Sequence, residues 1–172
     1  MGGAVSKEKI KTLEKLAEVV KELKAVGKKI VFTNGCFDII HRGHVEYLED
    51  AKRLGDILVV AVNSDVSVRR LKGDGKPINT EYDRIRVLAG LECVDYVTIF
   101  DEDTPEAAIF LLKPHVLVKG SDWNIKKIVG KKFVESSGGK VVTIPFVEGY
   151  STKGTIESIL EKCKNRTLDN SL

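Results

Sequence analysis

His41 and His44 bracket an arginine and a glycine, and the flanking sequence says where this quartet stands. Before it, Ile30-Val31-Phe32 is a short apolar run of the kind a parallel sheet buries on both faces, stopped by Asn34-Gly35. After it, Val45, Leu48, Ala51 and Leu54 recur at helical spacing. The quartet therefore sits in a strand–loop–helix unit, where the helix begins. Free N–H groups and the positive end of the helix dipole suit that position to phosphate. Gly43 lacks the side chain that would hold a ligand off the backbone. Two imidazoles, neutral or cationic, complete a site for phosphate chemistry. Metal ligation is the competing reading, but with His115 as the one further histidine a zinc site lacks obvious ligands.

Other residues join this one by position. Lys72, with Arg69, Arg70 and Lys76 around it, makes a basic loop, Lys72 to Pro77, which on composition alone is a solvated surface. Asp38 either braces the first turn or contacts a ligand. Backbone groups of Thr33, Asn34 and Phe37 stand where they could touch the same ligand. Lys119-Gly120-Ser121-Asp122-Trp123 follows a fourth apolar run, and its tryptophan either packs in the core or lies on a ring at a pocket mouth. Ser151-Thr152-Lys153 leads into a last helix.

The elements that must position these residues alternate. Ile10, Leu13, Leu16, Ala17, Val20 and Leu23 form one stripe of a packing helix from Ser6, its N-cap, to Val26, with Gly27 as the stop. Strands are expected at 30–32, 57–62, 96–100, 116–118 and 141–144, and helices at 65–71, 80–91, 105–112, 129–137 and 154–162. Thr80 and Asp83 are spaced like a capping box, and Thr104-Pro105 reads as a cap followed by the first helical position. This is a doubly wound α/β pattern, a parallel sheet with helices on both faces and its strand-to-helix loops at one edge. The expected organisation is a packing helix in residues 1–28, one domain over 29–164 and a frayed polar tail at 165–172.

Composition bounds the partners. A net charge of +3 without an arginine-rich block gives no reason to expect nucleic acid, and a small polyanion suits it as well. Three scattered cysteines, Cys36, Cys93 and Cys163, without a CxxC, fit reduced thiols in a cytoplasmic protein. No apolar span approaches membrane length, and the lysine-rich start does not read as a signal peptide.

The quartet behind TNGCFDII resembles the HxGH nucleotidyltransferase superfamily, of the cytidylyltransferase-like kind. Four further segments fall in register: RLKGD at 70–74, LECVDYV at 91–97, VKGSD at 118–122 and EGYST at 148–152. Together, from about Ser6 to Lys162, they are similar to the bacterial ADP-heptose synthases. The resemblance implies a Rossmann-like five-stranded sheet of order 3-2-1-4-5, which seats the first and fourth strands side by side at the ligand crevice. It implies His41, His44 and Lys72 in catalysis. Thr33, Asn34, Gly35, Phe37, Gly43, Lys119, Gly120, Ser151 and Thr152 would line the nucleotide, and Asp38 and Asp122 the sugar phosphate. No protein metal site is implied, the expected cofactor being Mg²⁺ carried largely by ATP. The family's Ser-Thr-Ser/Thr run departs here, with Lys153 in the third place.

The activity implied is transfer of AMP from ATP to D-glycero-β-D-manno-heptose 1-phosphate, giving ADP-heptose and pyrophosphate for the inner core of lipopolysaccharide. The alternatives are a cytidylyltransferase for glycerol 3-phosphate or a related alcohol phosphate, and a nucleotide-binding module without catalysis. Some family members are fused to a sugar kinase, for which this chain has no room, so a separate kinase is expected upstream. A homodimer is the family expectation.

Overall fold

The computed structural model describes residues 6–121, 127–145 and 147–169, with side chains to residue 165. Asp122 and Trp123 lie outside the described residues. The elements run α1 (Leu13–Ala25), β1 (Ile30–Gly35), α2 (Arg42–Lys52), β2 (Ile57–Asn63), α3 (Asp65–Lys72) and α4 (Glu81–Gly90). There follow β3 (Tyr96–Phe100), α5 (Glu106–Leu112), β4 (Val116–Gly120), α6 (Lys131–Ser136), β5 (Lys140–Ile144) and α7 (Thr152–Asp169).

All strand pairings are parallel, in the order β3-β2-β1-β4-β5. Alternation along each strand feeds two cores. Ile30, Phe32, Val59 and Leu117 pack under α1, α5 and α6 with Leu16, Val20, Ile109 and Val134. Val31, Leu58, Val60 and Val118 pack on the other face with Leu48 and Ala51 of α2 and Leu88 of α4. Burial on both faces is why the strands read as unbroken apolar runs. This is the doubly wound fold expected, with its winding reversing between β1 and β4.

Several element ends differ from expectation. The N-terminal helix does not start at Ser6. Residues Ser6–Lys9 form a 3₁₀ turn, and the Ser6 hydroxyl accepts from Arg86 at 3.2 Å. Ile10 then bridges to Val97, and the Lys11 N–H donates to the Val97 carbonyl at 3.0 Å. Ile10 thus packs on one core while Leu16 and Val20 pack on the other, which a single stripe cannot do. The helix starts afresh at Leu13 under a Thr12 cap. In α5, Pro105 is itself the cap residue and not the first helical one. Before α6, Gly130 has a φ of +81° and its Cα faces Ile109, which delays the helix to Lys131. Helix α7 continues to Asp169, through most of the segment expected to be tail. The Thr80–Asp83 box is present, hydroxyl to carboxylate at 2.6 Å and N–H to hydroxyl at 3.3 Å.

Candidate active site

Asn34-Gly35 and Lys119-Gly120, expected as loops, are the last residues of β1 and β4. Asn34 and Gly35 pair with Ala61 and Val62 of β2. Where β1 and β4 end side by side, Lys119 reaches across and donates through Nζ to Asn34 Oδ1. Above them opens a cavity of about 960 Å³. Its floor is these strand ends, one wall is the start of α2, and the opposite wall is the start of α7 with Glu148 to Tyr150 before it.

The quartet sits as its sequence requires. His41 is the N-cap residue of α2, its extended backbone letting its carbonyl accept from the N–H groups of His44 and Val45 at 2.9 and 3.3 Å. One helical turn then lays the two imidazoles against each other, centroids 3.8 Å apart and 19° from parallel. Both Nδ1 atoms are buried without a hydrogen-bond partner among the described residues. Burial, then the neighbouring His41 and Lys72, pushes the His44 pKa down to about 4; burial also lowers that of His41. At neutral pH the pair is uncharged. It lines the pocket as two neutral imidazoles, and standing positive charge comes from Lys72 and Lys76, which line it too.

Gly43 has a further reason to be glycine. A Cβ there would lie 3.2 Å from both His41 Nδ1 and Tyr150 Cβ, so the missing side chain makes room for protein as well as ligand. Gly35 is covered likewise by Phe37, whose ring would meet a Cβ at 3.0 Å. Phe37 takes a φ of +47°, unusual outside glycine, and brings its ring to 5.4 Å from that of His44.

Across the cavity, Ser151 caps α7: its hydroxyl accepts the Gly154 N–H at 3.0 Å and its carbonyl the Thr155 N–H at 3.0 Å. The Thr152 hydroxyl meets the Ile39 carbonyl at 3.5 Å, tying this helix to the β1–α2 loop. Two helix N-termini therefore converge on one space, doubling the attraction for an anion. Lys153 lines the same cavity with its side chain largely in solvent, 3.7 Å from Glu157.

The structure brings His41, His44, Lys72, Asn34, Gly35, Phe37, Gly43, Lys119, Gly120, Ser151 and Thr152 to one cavity. Thr33 does not line it. That side chain is fully buried, its hydroxyl 2.7 Å from the Tyr47 hydroxyl, so it braces α2 on β1. Asp38 lines the cavity and is braced as well: its two carboxylate oxygens accept the Ile78 and Asn79 N–H groups, each at 2.8 Å, and its carbonyl accepts from the Asn79 side chain at 2.7 Å. Of the other basic residues near Lys72, Lys76 lines the cavity, while Arg70 turns away to Asp103 at 2.8 Å.

Sequence reasoning missed Arg84, whose side chain is buried completely. It donates to Cys36 O at 2.6 Å, to Asn79 O at 3.1 Å and to Asp65 Oδ1 at 2.7 Å, joining the β1–α2 loop to the segment carrying Lys76. It also missed Tyr150, whose ring lies 6.4 Å from that of His41 and 5.6 Å from the Arg42 guanidinium. An arginine at helical spacing between charged neighbours gives no sign of burial, and a tyrosine beside a glycine reads as loop.

Comparison with known proteins agrees with this geometry. Residues 32–153 match the cytidylyltransferase-like family model. The bifunctional protein HldE of Geobacter metallireducens is 56% identical over 155 residues, which is 90% of this chain and 32% of that protein. HldE of Pelobacter propionicus is 53% identical over 157 residues, 91% of this chain and again 32% of the relative. The chain thus spans about a third of the length of these relatives. Among solved structures, a lipopolysaccharide core biosynthesis protein from Thermoplasma volcanium superposes with a TM-score of 0.59 at 30% identity, over 73% of this chain and all of that one. A pantoate-beta-alanine ligase from Francisella tularensis, 17% identical with a TM-score of 0.57, shares the fold. Family match, strand order and paired histidines at a helix start agree, and the chain belongs to the cytidylyltransferase-like family as a nucleotidyltransferase.

Proposed function

We propose that this domain transfers AMP from ATP to D-glycero-β-D-manno-heptose 1-phosphate, releasing pyrophosphate and forming ADP-heptose for lipopolysaccharide inner-core synthesis. The observation that carries the reading is the stacked pair of uncharged imidazoles at the α2 start, which lines one cavity together with the α7 start. The choice of sugar rests on the five motifs that resemble ADP-heptose synthases and on the HldE relatives.

In this reading an oxygen of the sugar phosphate attacks the α-phosphorus of ATP in line. The new O–P bond forms as the bond from the α-phosphorus to the bridging oxygen breaks, and that electron pair leaves with pyrophosphate. Imidazole N–H groups of His41 and His44 hold the non-bridging oxygens as charge builds, while Lys72 and the α7 start hold the leaving phosphates. Catalysis is then alignment and fixed polarity, without a covalent intermediate.

Among the described residues no three His, Cys, Asp or Glu side chains group around a metal-sized space. In this reading Mg²⁺ would be held by the triphosphate and water, where it would neutralise phosphate charge. A homodimer and a cytoplasmic setting go with this reading. Among the described residues no helix is long and apolar enough to cross a membrane.

The test is pyrophosphate release with Mg²⁺ for ATP and CTP, each with heptose 1-phosphate and with glycerol 3-phosphate. Release confined to ATP with the heptose phosphate is the expected result. Release confined to CTP with glycerol 3-phosphate would replace the substrates but keep the site.

A further inference from the structure

At the opposite edge of the sheet, where β1, β4 and β5 begin, lies a second cavity of about 470 Å³. The end of α1 and the turn before β5 complete it. Lys24, Lys28, Lys29, Lys140 and His115 line it among glycines, and no described carboxylate does. Asp56 lies close by in the chain pairing, but its carboxylate is engaged by the Lys29 backbone N–H at 2.7 Å.

The cations are not equivalent. Lys24 is already used: its Nζ donates to the Leu112 and Lys113 carbonyls at 2.7 and 2.5 Å, covering the negative end of α5. The ammonium groups of Lys28, Lys29 and Lys140 make no hydrogen bond or ion pair with a described residue. His115 is fixed in one tautomer. Its Nδ1 accepts the Ile30 N–H at 2.9 Å, so the neutral ring carries its proton on Nε2, a donor on the side away from that bond. Burial and then the nearby Lys24 and Lys29 lower the pKa of His115, and burial and then Lys113 lower that of Lys24.

We infer that this cavity is a second anion site, taking a small phosphorylated molecule between Lys28, Lys29, Lys140 and the His115 Nε2–H. Its concavity and size suit a phosphate or a phosphorylated sugar better than an extended surface. Because Lys29, just before β1, and Gly35, at its end, lie six residues apart on extended backbone, the site stands roughly 20 Å from the first, while the two share two strands.

The test is a histidine-detected NMR titration of the intact protein with inorganic phosphate, pyrophosphate and glucose 6-phosphate, in separate arms, with sodium chloride at matched ionic strength as control. Binding is expected to shift the His115 ring resonances saturably and raise its pKa. The variant K28Q/K29Q/K140Q, changed only at exposed positions, is expected to bind at least about tenfold more weakly, with His41 and His44 resonances responding as before. The arm with the tightest response identifies the source, a free phosphate or a sugar phosphate. His115 shifts no larger than with chloride, or unchanged in the triple variant, would overturn the assignment.

Discussion

At the scale of single residues, the site's two histidines are uncharged at neutral pH. With a pKa near 4, His44 refuses a proton that an exposed histidine takes up at about pH 6.5. The sign for stability follows. Between these values the unfolded chain binds more protons than the folded one, so stability falls as pH falls from about 6.5 to 4. The urea midpoint of the native protein should therefore drop more steeply across that window than that of His44→Gln; parallel curves would contradict the neutral assignment. A second outcome concerns rate. His44→Ala is expected to keep ATP affinity within about tenfold while losing most of the turnover, as for a group engaged mainly in the transition state. Unchanged turnover would remove His44 from the chemistry. These two histidines were legible because their types, spacing and helix start are local facts. Asp38 was legible only as a choice between brace and ligand, since the Ile78 and Asn79 N–H groups that it accepts lie forty residues away.

At the scale of elements, Arg84 clamps three segments at once. Arg84→Met would leave Asp65 and two carbonyls without their partner, and losing one member of a buried ion pair costs roughly 3–5 kcal/mol. Chemical denaturation should show that loss, and Arg84→Lys should recover part of it by keeping the charge; full stability in the methionine variant would show the clamp to be dispensable. Element type was readable nearly everywhere, since β2, β3 and α4 needed only their period and caps. Element ends were not. The break between Lys9 and Leu13 exists because Ile10 is drawn to β3, a contact with a residue nearly ninety positions on that no local pattern reports.

At the scale of the whole molecule, alternation alone gives helices on both faces but no strand order, because any right-handed winding satisfies it. The order came from the resemblance of five segments, and the sheet agrees with it. What that order achieves is to bring a β1 end and a β4 end together, so that Lys119 and Asn34 make one floor. The site's two walls are far more distant in the chain: the quartet at 41–44 and the segment from Tyr150 to Thr152 meet through the Ile39 carbonyl, through Tyr150 beside His41 and Arg42, and across the cavity. A chain leaving the ribosome therefore displays its histidines long before the second wall exists. Nucleotide cannot help the early strands to fold. It can stabilise only a domain whose synthesis has already passed Thr152, so ligand rescue of destabilised variants waits for that second wall.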